Sequence, residues 1–273
     1  MKASRRKLEE ISWCFGIHKL ANRAYGFLRP QQVHLSEDLT QLFSNLVPKG
    51  ALAFDIGANV GTYAVALESL GARVVAVDAN PDCLRHIELM YSGRNIQTVH
   101  AAVGDRIGLE TFNMSDQSDG ISAIPSDWLE ALNKHYGRSP QVWNRSITVP
   151  IITVDCLVGR FGPPYYVKID IEGYDRFALD GLSIQPPLLS FEFHCVCVQD
   201  ALDCLDKKVI SPESRFNIHL GGPNFLIPNW VNKEEIKTLL GRQGLETFGD
   251  IYVAALGQGM VDLADNFSSY GPH

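Results

Sequence analysis

The stretch ALAFDIGANVG occupies residues 51–61 and joins an apolar run directly to a turn with glycines at positions 57 and 61. The apolar run, residues 51–56, has the length and continuity of a buried strand. After the turn, Val60, Ala64 and Leu67 recur at helical spacing, which predicts that a helix follows. Glycine has no Cβ and tolerates positive φ, so backbone at such a turn can approach a ligand closely. The stretch therefore predicts a strand, a ligand-binding turn and a helix.

The same pattern continues along the chain, because short apolar runs alternate with helical segments. This alternation predicts an α/β fold with a largely parallel sheet. Two runs at 245–248 and 251–256, separated by Gly249 and Asp250, predict an antiparallel hairpin that closes the sheet. The other predicted elements are strands at 73–78, 96–100, 109–114, 147–154, 165–171 and 188–194, and helices at 128–134 and 232–240.

Residues 1–48 precede this pattern and are predicted to form an N-terminal helical cap. The main domain then comprises residues 49–273. Pro30 is expected to end the first helical segment of the cap, and Ser36 is the expected N-cap of the second. The apolar residues of the second segment have helical spacing and are Leu35, Leu39, Leu42, Phe43 and Leu46.

The composition is that of an ordinary globular protein, with 45% hydrophobic and 20% charged residues. A formal net charge of -7 gives no long-range attraction for nucleic acid or an anionic membrane, so a small or neutral partner is expected. The start MKASRRK lacks an apolar signal core, and no run reaches the ~18 apolar residues of a membrane span. These features predict a cytoplasmic protein. The six cysteines lack zinc-finger spacing and are expected to be reduced.

The turn at 57–61 lacks the spacing of a nicotinamide dinucleotide site. Read from Gly57, the fingerprint GxGxxG requires glycines at positions that are occupied by Asn59 and Thr62. Asp78 ends the second predicted strand, 17 residues after Gly61, where a carboxylate can accept both hydroxyls of an adenosine ribose. The two features together favour an adenosine ligand without a pyrophosphate. The alternatives are a plain strand-to-helix turn and an Asp78 that only caps a helix.

Five ordered motifs lie within residues 50–195. The motifs are DIGANVG at 55–61, VDANP at 77–81, AAVGD at 101–105, TVDCL at 153–157 and VKIDIEGYD at 167–175. They resemble the FkbM family of class I S-adenosylmethionine-dependent methyltransferases, although the broader class usually has glycine where this chain has Asn59. The resemblance implies a Rossmann-like fold with a mostly parallel seven-stranded sheet, and S-adenosylmethionine as cofactor. It implies donor contacts from Asp55, Gly57, Ala58, Asn59 and Gly61 at the methionine part, Asp78 and Ala79 at the ribose, and Ala102 and Val103 near the adenine.

Acidic residues and a histidine follow two neighbouring predicted strands, at the sheet edge where open α/β folds place their ligands. Asp170 and Glu172 follow the first strand, and Glu192 and His194 end the second. A carboxylate or a neutral histidine at this edge could take the proton of an acceptor hydroxyl during methyl transfer. Asp170, Glu172 and His194 are therefore the candidate catalytic residues for direct transfer of a methyl group to an oxygen.

Several other interpretations of these residues stay open. The carboxylates could bind a divalent metal ion or cap the turn at Gly173, and His194 could be a hydrogen-bonded structural residue. A partner-binding protein without catalysis and a nicotinamide-dependent oxidoreductase are the alternative functions. The family resemblance implies an acceptor hydroxyl on a small molecule, a sugar or a lipid.

Overall fold

The computed structural model describes residues 30–114, 122–123, 134–135 and 145–256. Residues 1–29 of the predicted cap and nearly all of the helix predicted at 128–134 lie outside these ranges. The predicted division between residues 48 and 49 stays a prediction. Among the described residues, no helix combines the length and the hydrophobicity needed to cross a membrane.

The described strands form one large sheet and one small sheet. In the large sheet the order is β10-β11-β9-β8-β1-β2-β3, with β1, β2, β3, β8 and β9 parallel and β11 antiparallel to β9 and β10. The predicted mostly parallel sheet of seven strands is confirmed. In chain order the strands are β1 Leu52–Ile56, β2 Arg73–Asp78, β3 Ile96–His100, β4 Ala102–Val103, β5 Gly108–Met114, β6 Ser122–Ala123, β7 Arg145–Ile152, β8 Tyr166–Ile169, β9 Leu188–His194, β10 Arg215–His219 and β11 Phe248–Ala254.

The small sheet has the order β4-β7-β5-β6 and lies beside the carboxyl edge of the large one. The strand predicted at 147–154 corresponds to β7 and belongs to this small sheet. Its residues Val149 and Ile151 are buried against Phe112 of β5 and Ala102 of β4. The small sheet therefore adds an apolar surface close to the strand ends.

Helices connect the strands and cover both faces of the large sheet. Asn80 caps one of them, since its side chain accepts the N–H of Asp82 at 3.0 Å and Pro81 occupies the first turn. Asn232 and Glu235 form a capping box at another. The described helices are α1 Pro30–Phe43, α2 Thr62–Ser69, α3 Pro81–Met90, α4 Val154–Phe161, α5 Asp175–Asp180, α6 Val198–Leu205 and α7 Lys233–Leu240, with a short 3-10 helix at Cys195–Cys197.

Helix α1 begins earlier than the sequence predicts. Ser36 lies inside it and is not its N-cap, because the described part of the helix already extends back to Pro30. The ring of Phe43 lies 5.2 Å from that of Tyr166 and belongs to the apolar cluster on one face of the large sheet. Helix α1 therefore packs into the main core.

The predicted hairpin within 245–256 is wrong, although the antiparallel character of the C-terminal strands is confirmed. Residues 248–254 form the single strand β11, and its second partner, β10, was not predicted. A Cβ on Gly249 would lie 2.2 Å from the carbonyl oxygen of His219. Glycine at this position therefore permits the close approach of two strands and does not form a turn.

Candidate functional site

A cavity of about 720 Å³, counted with its open mouth, lies at the carboxyl edge of the parallel strands. Its walls come from the loop after β1, the end of β2, the small sheet and the turn after β8. The predicted site residues that line it are Gly57, Asn59, Asp78, Ala79, Ala102, Val103, Asp170 and Glu172. The predicted residues outside this lining are Asp55, Ala58, Gly61 and His194.

The loop after β1 has left-handed backbone at three positions. The φ angle is 80° at Gly57, 48° at Asn59 and 82° at Gly61. Asparagine is one of the few residues other than glycine that visits this conformation readily, so it is accommodated at position 59. The N–H of Asn59 donates to Oδ2 of Asp78 at 2.8 Å. This bond ties the loop to the end of β2.

Gly57 lies directly against the backbone of Asp170. A Cβ built on Gly57 would lie 1.8 Å from the carbonyl oxygen of Asp170, far inside van der Waals contact. The N–H of Asp170 donates to the carbonyl oxygen of Ile56 at 3.0 Å, which fixes the separation of the two chain segments. Only glycine at position 57 allows the loop after β1 and the turn after β8 to meet in this way.

Asp78 presents its carboxylate to the cavity while holding two loops. Oδ2 accepts the N–H of Asn59 at 2.8 Å, and Oδ1 accepts the N–H of Asn80 at 2.7 Å. Burial raises the pKa of Asp78 to about 6, although the two N–H donors oppose this shift. Each oxygen keeps a second lone pair, so the carboxylate can also accept hydrogen bonds from a ligand.

The wall opposite Asp78 is apolar and was only partly predicted. Phe112 and Tyr174 line the cavity together with Ala102 and Val103, and Phe112 is buried against Ala102. A flat aromatic side chain beside small apolar residues suits a planar heterocycle. The alternation of residues 108–114 indicates a strand, but nothing in the sequence indicates that this strand folds over the cavity.

Asp170 is held at the cavity wall by a buried lysine. Lys168 is only 2% exposed, and its Nζ donates to Oδ2 of Asp170 at 2.7 Å. The same Nζ lies 4.3 Å from the centre of the Tyr63 ring. Burial favours the neutral amine, but the carboxylates of Asp170 and Asp55 outweigh this and raise the pKa of Lys168. The lysine therefore stays charged and orients the Asp170 carboxylate.

Asp55 lies beneath the loop, 1% exposed, and pairs in register with Lys168 across β1 and β8. Burial raises the pKa of Asp55 to about 6, and the charge of Lys168 opposes this shift. The motif that contains Asp55 predicted a contact with the donor. The structure places its side chain beneath the loop, outside the residues that line the cavity, and the predicted donor contact stays a prediction.

A second buried polar group connects α2 with the antiparallel strands. The hydroxyl of Tyr63 donates to Asp250, and Oδ2 of Asp250 lies 3.9 Å from Nδ1 of His219. Burial disfavours both charges, yet the attraction between the two groups raises the pKa of His219 and, with the charge of Lys168 and the Tyr63 hydroxyl, lowers the pKa of Asp250. The two shifts agree on an ion pair. Sequence reasoning missed it because Tyr63 and Asp250 are 187 residues apart.

Glu192 and His194 end β9, the strand next to β8. Nε2 of His194 lies 3.3 Å from Oε1 of Glu192, and the His194 ring stacks on Phe248 with centroids 5.3 Å apart. Burial, followed by the charges of Asp170 and Glu172, raises the pKa of Glu192 well above its usual value. His194 therefore lies at the end of β9 beside a glutamate whose neutral form is favoured by burial.

The acidic residues of this edge do not form a metal site in the described part of the chain, where no group of three or more His, Cys, Asp or Glu side chains is arranged to hold an ion.

Glu172 has a left-handed φ of 55°, a conformation that non-glycine residues adopt mainly where the surroundings impose it. Burial, with the charge of Asp170, raises the pKa of Asp175 to about 7. Asp175 therefore titrates near neutral pH.

Comparison with sequence families gives one match. The family described as "Methyltransferase FkbM domain" matches residues 55–196, which is more than half of the chain. The matched range begins at Asp55 and includes the loop after β1, Asp78, Asp170 and His194. No curated protein matches the sequence.

Several solved methyltransferase structures are similar to the chain at low sequence identity and low TM-score. Precorrin-6y C5,15-methyltransferase from Geobacter metallireducens is 12% identical, with 80% of this chain and 85% of that chain covered and a TM-score of 0.37. An rRNA methylase from Streptococcus thermophilus is 13% identical, with 82% and 96% covered and a TM-score of 0.37. A TehB-like SAM-dependent methyltransferase from Corynebacterium glutamicum is 12% identical, with 80% and 88% covered and a TM-score of 0.38. TM-scores of this size support no conclusion about function.

Proposed function

The chain belongs to the FkbM methyltransferase family, and from this premise we propose that it methylates a hydroxyl oxygen on a small molecule, a sugar or a lipid. S-adenosylmethionine is the cofactor that membership of a methyltransferase family implies. The observation that carries the proposal is the cavity at the sheet edge, where Asp78 and Asp170 lie on its lining together with Gly57.

The residues of the cavity suit this donor. Asp78 has lone pairs left for the two ribose hydroxyls, and Phe112, Ala102 and Val103 offer an apolar surface to the adenine. The space that a side chain at Gly57 would fill is occupied by the backbone of Asp170, which brings two walls of the cavity together. When bound, the sulfonium supplies the methyl group, and its S–C bond breaks as the new C–O bond of the acceptor forms.

The chain's own contribution to the reaction is alignment and proton removal. The Asp170 carboxylate is fixed through Oδ2 by Lys168, so Oδ1 is the oxygen that takes the acceptor's hydroxyl proton. Glu172 lines the same cavity, and His194 lies on the neighbouring strand as the second candidate base. The net charge of -7 supports a small acceptor over a polyanion.

Calorimetric titration tests the proposal most directly. S-adenosylmethionine and its product S-adenosylhomocysteine (SAH) are expected to bind at one site per chain, whereas NAD is expected not to bind. Asp78→Ala should weaken both ligands strongly, because the ribose loses its acceptor. Binding of NAD without binding of SAH would reject the methyltransferase proposal in favour of an oxidoreductase.

Replacement of the candidate bases should separate binding from chemistry. In Asp170→Ala, methyl transfer to any alcohol, phenol or glycoside that supports turnover is expected to fall at least ~100-fold, with SAH affinity changed by less than about threefold. A similar loss in His194→Ala would assign it a role in the reaction. The readout is SAH formation, and Asp180→Ala, which removes a carboxylate in a surface pair with Lys207, is the control. Unchanged turnover removes the residue concerned from the mechanism.

Donor affinity should depend on the ionisation of Asp78. Because the pKa of Asp78 is raised to about 6, the carboxylate gains a proton and loses acceptor capacity as the pH falls through that value. SAH affinity is therefore expected to fall about tenfold between pH 7.5 and pH 5 for a single titrating group. The Asp78→Asn variant should bind weakly at both pH values and show no such slope. A slope that persists in this variant would assign the titration to another group.

A further inference from the structure

The buried ammonium of Lys168 has three carboxylates around it. Asp170 follows β8, Asp55 pairs in register with the lysine from β1, and Asp250 lies on β11. Burial favours the neutral amine, yet the three negative charges, that of Asp170 most strongly, raise the pKa of Lys168. Of these described carboxylates, only Asp170 accepts a hydrogen bond from the ammonium, at 2.7 Å. Lys168 therefore leaves two alternative partners unused.

Asp250 is occupied from two other directions. The Tyr63 hydroxyl donates a hydrogen bond to its Oδ2, and Nδ1 of His219 lies 3.9 Å from the same oxygen. Nε2 of His219 donates to the carbonyl oxygen of Gly222 at 2.8 Å. A carbonyl beside one ring nitrogen and a carboxylate beside the other favour a proton on both, so the imidazole is charged. Asp250 thus has a hydrogen-bond donor and a positive charge that do not come from Lys168.

Tyr63 contacts both Lys168 and Asp250. Nζ of Lys168 lies 4.3 Å from the centre of the Tyr63 ring, and the face of an aromatic ring attracts a cation. The hydroxyl at the edge of the same ring is bound to Asp250, which fixes the orientation of the ring. One side chain therefore satisfies Asp250 and presents its face to the ammonium that donates to Asp170.

On the premise of the proposed methyl transfer, we propose that Tyr63 and His219 are positioning residues for the candidate base Asp170. They satisfy Asp250, so that Lys168 binds Asp170 and fixes its carboxylate at the cavity wall. Without the Tyr63 hydroxyl, the buried charge of Asp250 lacks a donor, which is costly. It then attracts the Lys168 ammonium, which lies at the end of a flexible four-carbon stem, and Asp170 loses the contact that orients it.

Crystal structures of SAH-loaded variants test the position of Lys168 directly. In Tyr63→Phe, which keeps the ring, Nζ is expected to move beyond hydrogen-bond distance of Asp170, about 3.5 Å, and to approach Asp250. His219→Gln removes the charge on the other side of Asp250 and should displace Nζ in the same way. In the double variant Tyr63→Phe/Asp250→Asn the competing charge is gone, so Nζ is expected to return to Asp170.

Turnover, measured as SAH formation from any alcohol, phenol or glycoside that supports it, should follow the position of Lys168. A misplacement of about 1 Å can cost ~100-fold in rate, so Tyr63→Phe is expected to lower kcat at least ~10-fold, with KM and SAH affinity changed less than about threefold. The added Asp250→Asn should restore kcat to within about threefold of the wild-type value. A merely structural role of Tyr63 predicts the opposite, because the losses of the two substitutions would then add.

Tyr166→Phe is the matched control, since it removes another buried tyrosine hydroxyl, which contacts the Ser190 hydroxyl at 2.7 Å on the strands next to each other. It should leave kcat and the contact of Lys168 with Asp170 unchanged, and thermal unfolding reports whether each variant is folded. If Lys168 stays on Asp170 in Tyr63→Phe and His219→Gln, or if the double variant is slower than Tyr63→Phe, the positioning role is overturned and the methyltransferase proposal stands. Failure of the wild-type protein to bind SAH overturns both.

Discussion

Lys168→Met is expected to lower the free energy of unfolding by about 3–5 kcal/mol at pH 8, the usual cost of leaving a buried charge without its partner. Lys168 is 2% exposed and neutralises Asp170 and Asp55 at once. Methionine fills the space but offers no charge, so both carboxylates lose their cation. Chemical denaturation monitored by circular dichroism measures the change.

The loss in Lys168→Met should shrink as the pH falls. Burial already raises the pKa of Asp55 to about 6 with Lys168 present, and removal of the lysine raises that pKa further. At pH 5 the variant therefore holds the carboxyl in its neutral form, which needs no cation, whereas at pH 8 it must bury the charge. The difference from the wild-type protein is thus largest at high pH.

Lys237→Met is the matched control for this experiment. Lys237 pairs with Asp206 at 2.7 Å, but the Asp206 side chain is 58% exposed, and a solvated pair of this kind contributes about 1 kcal/mol or less. The control should show a small effect at either pH. Equal losses of unfolding free energy in the two variants would mean that the ion pair of Lys168 stabilises the protein no more than an exposed pair does.

Gly57→Ala is expected to weaken SAH binding at least ~100-fold, corresponding to about 2.7 kcal/mol. The new Cβ would lie 1.8 Å from the carbonyl oxygen of Asp170, so the loop after β1 must move away from the turn after β8. Both segments line the cavity, and their displacement alters the donor site from two sides. Calorimetry measures the affinity, and thermal unfolding reports whether the variant remains folded.

Gly93→Ala separates the steric effect from backbone strain. Gly93 has the same positive φ of 80° as Gly57, yet a Cβ there meets nothing within 4 Å. Its substitution should cost about 1–2 kcal/mol of stability and leave SAH affinity unchanged. If both alanine variants bind SAH equally, the contact between Gly57 and Asp170 does not shape the donor site.

Much of the fold could be predicted because parallel strands buried on both faces are continuous apolar runs in the sequence. Strands β1, β2 and β9 fall where these runs predict them, and the partly exposed edge strand β3 also lies at its predicted position. Strand β10 was missed because its sequence, RFNIH at 215–219, is short and alternates polar with apolar residues. The Gly249-Asp250 pair is typical of a turn. In the structure Gly249 lies within β11, and its missing Cβ allows the backbone of His219 in β10 to approach closely.

The site was predictable where its residues follow strands and not where they meet across the fold. Asp78 and Asp170 could be found because they stand at the carboxyl ends of two parallel strands, which share one sheet edge. Phe112 reaches the cavity through the small sheet, whose position depends on packing. The motif assigns Asp55 to the donor, but its burial beside Lys168 depends on the pairing of β1 with β8, which the motif does not indicate.

The hydrogen bond between Tyr63 and Asp250 joins the segment that matches the family to a strand outside it. A chimaera that carries only residues 55–196 would therefore bring the tyrosine of α2 without its acceptor, and the remaining chain would keep an aspartate without its donor. Segment exchange between relatives should retain both residues or replace both.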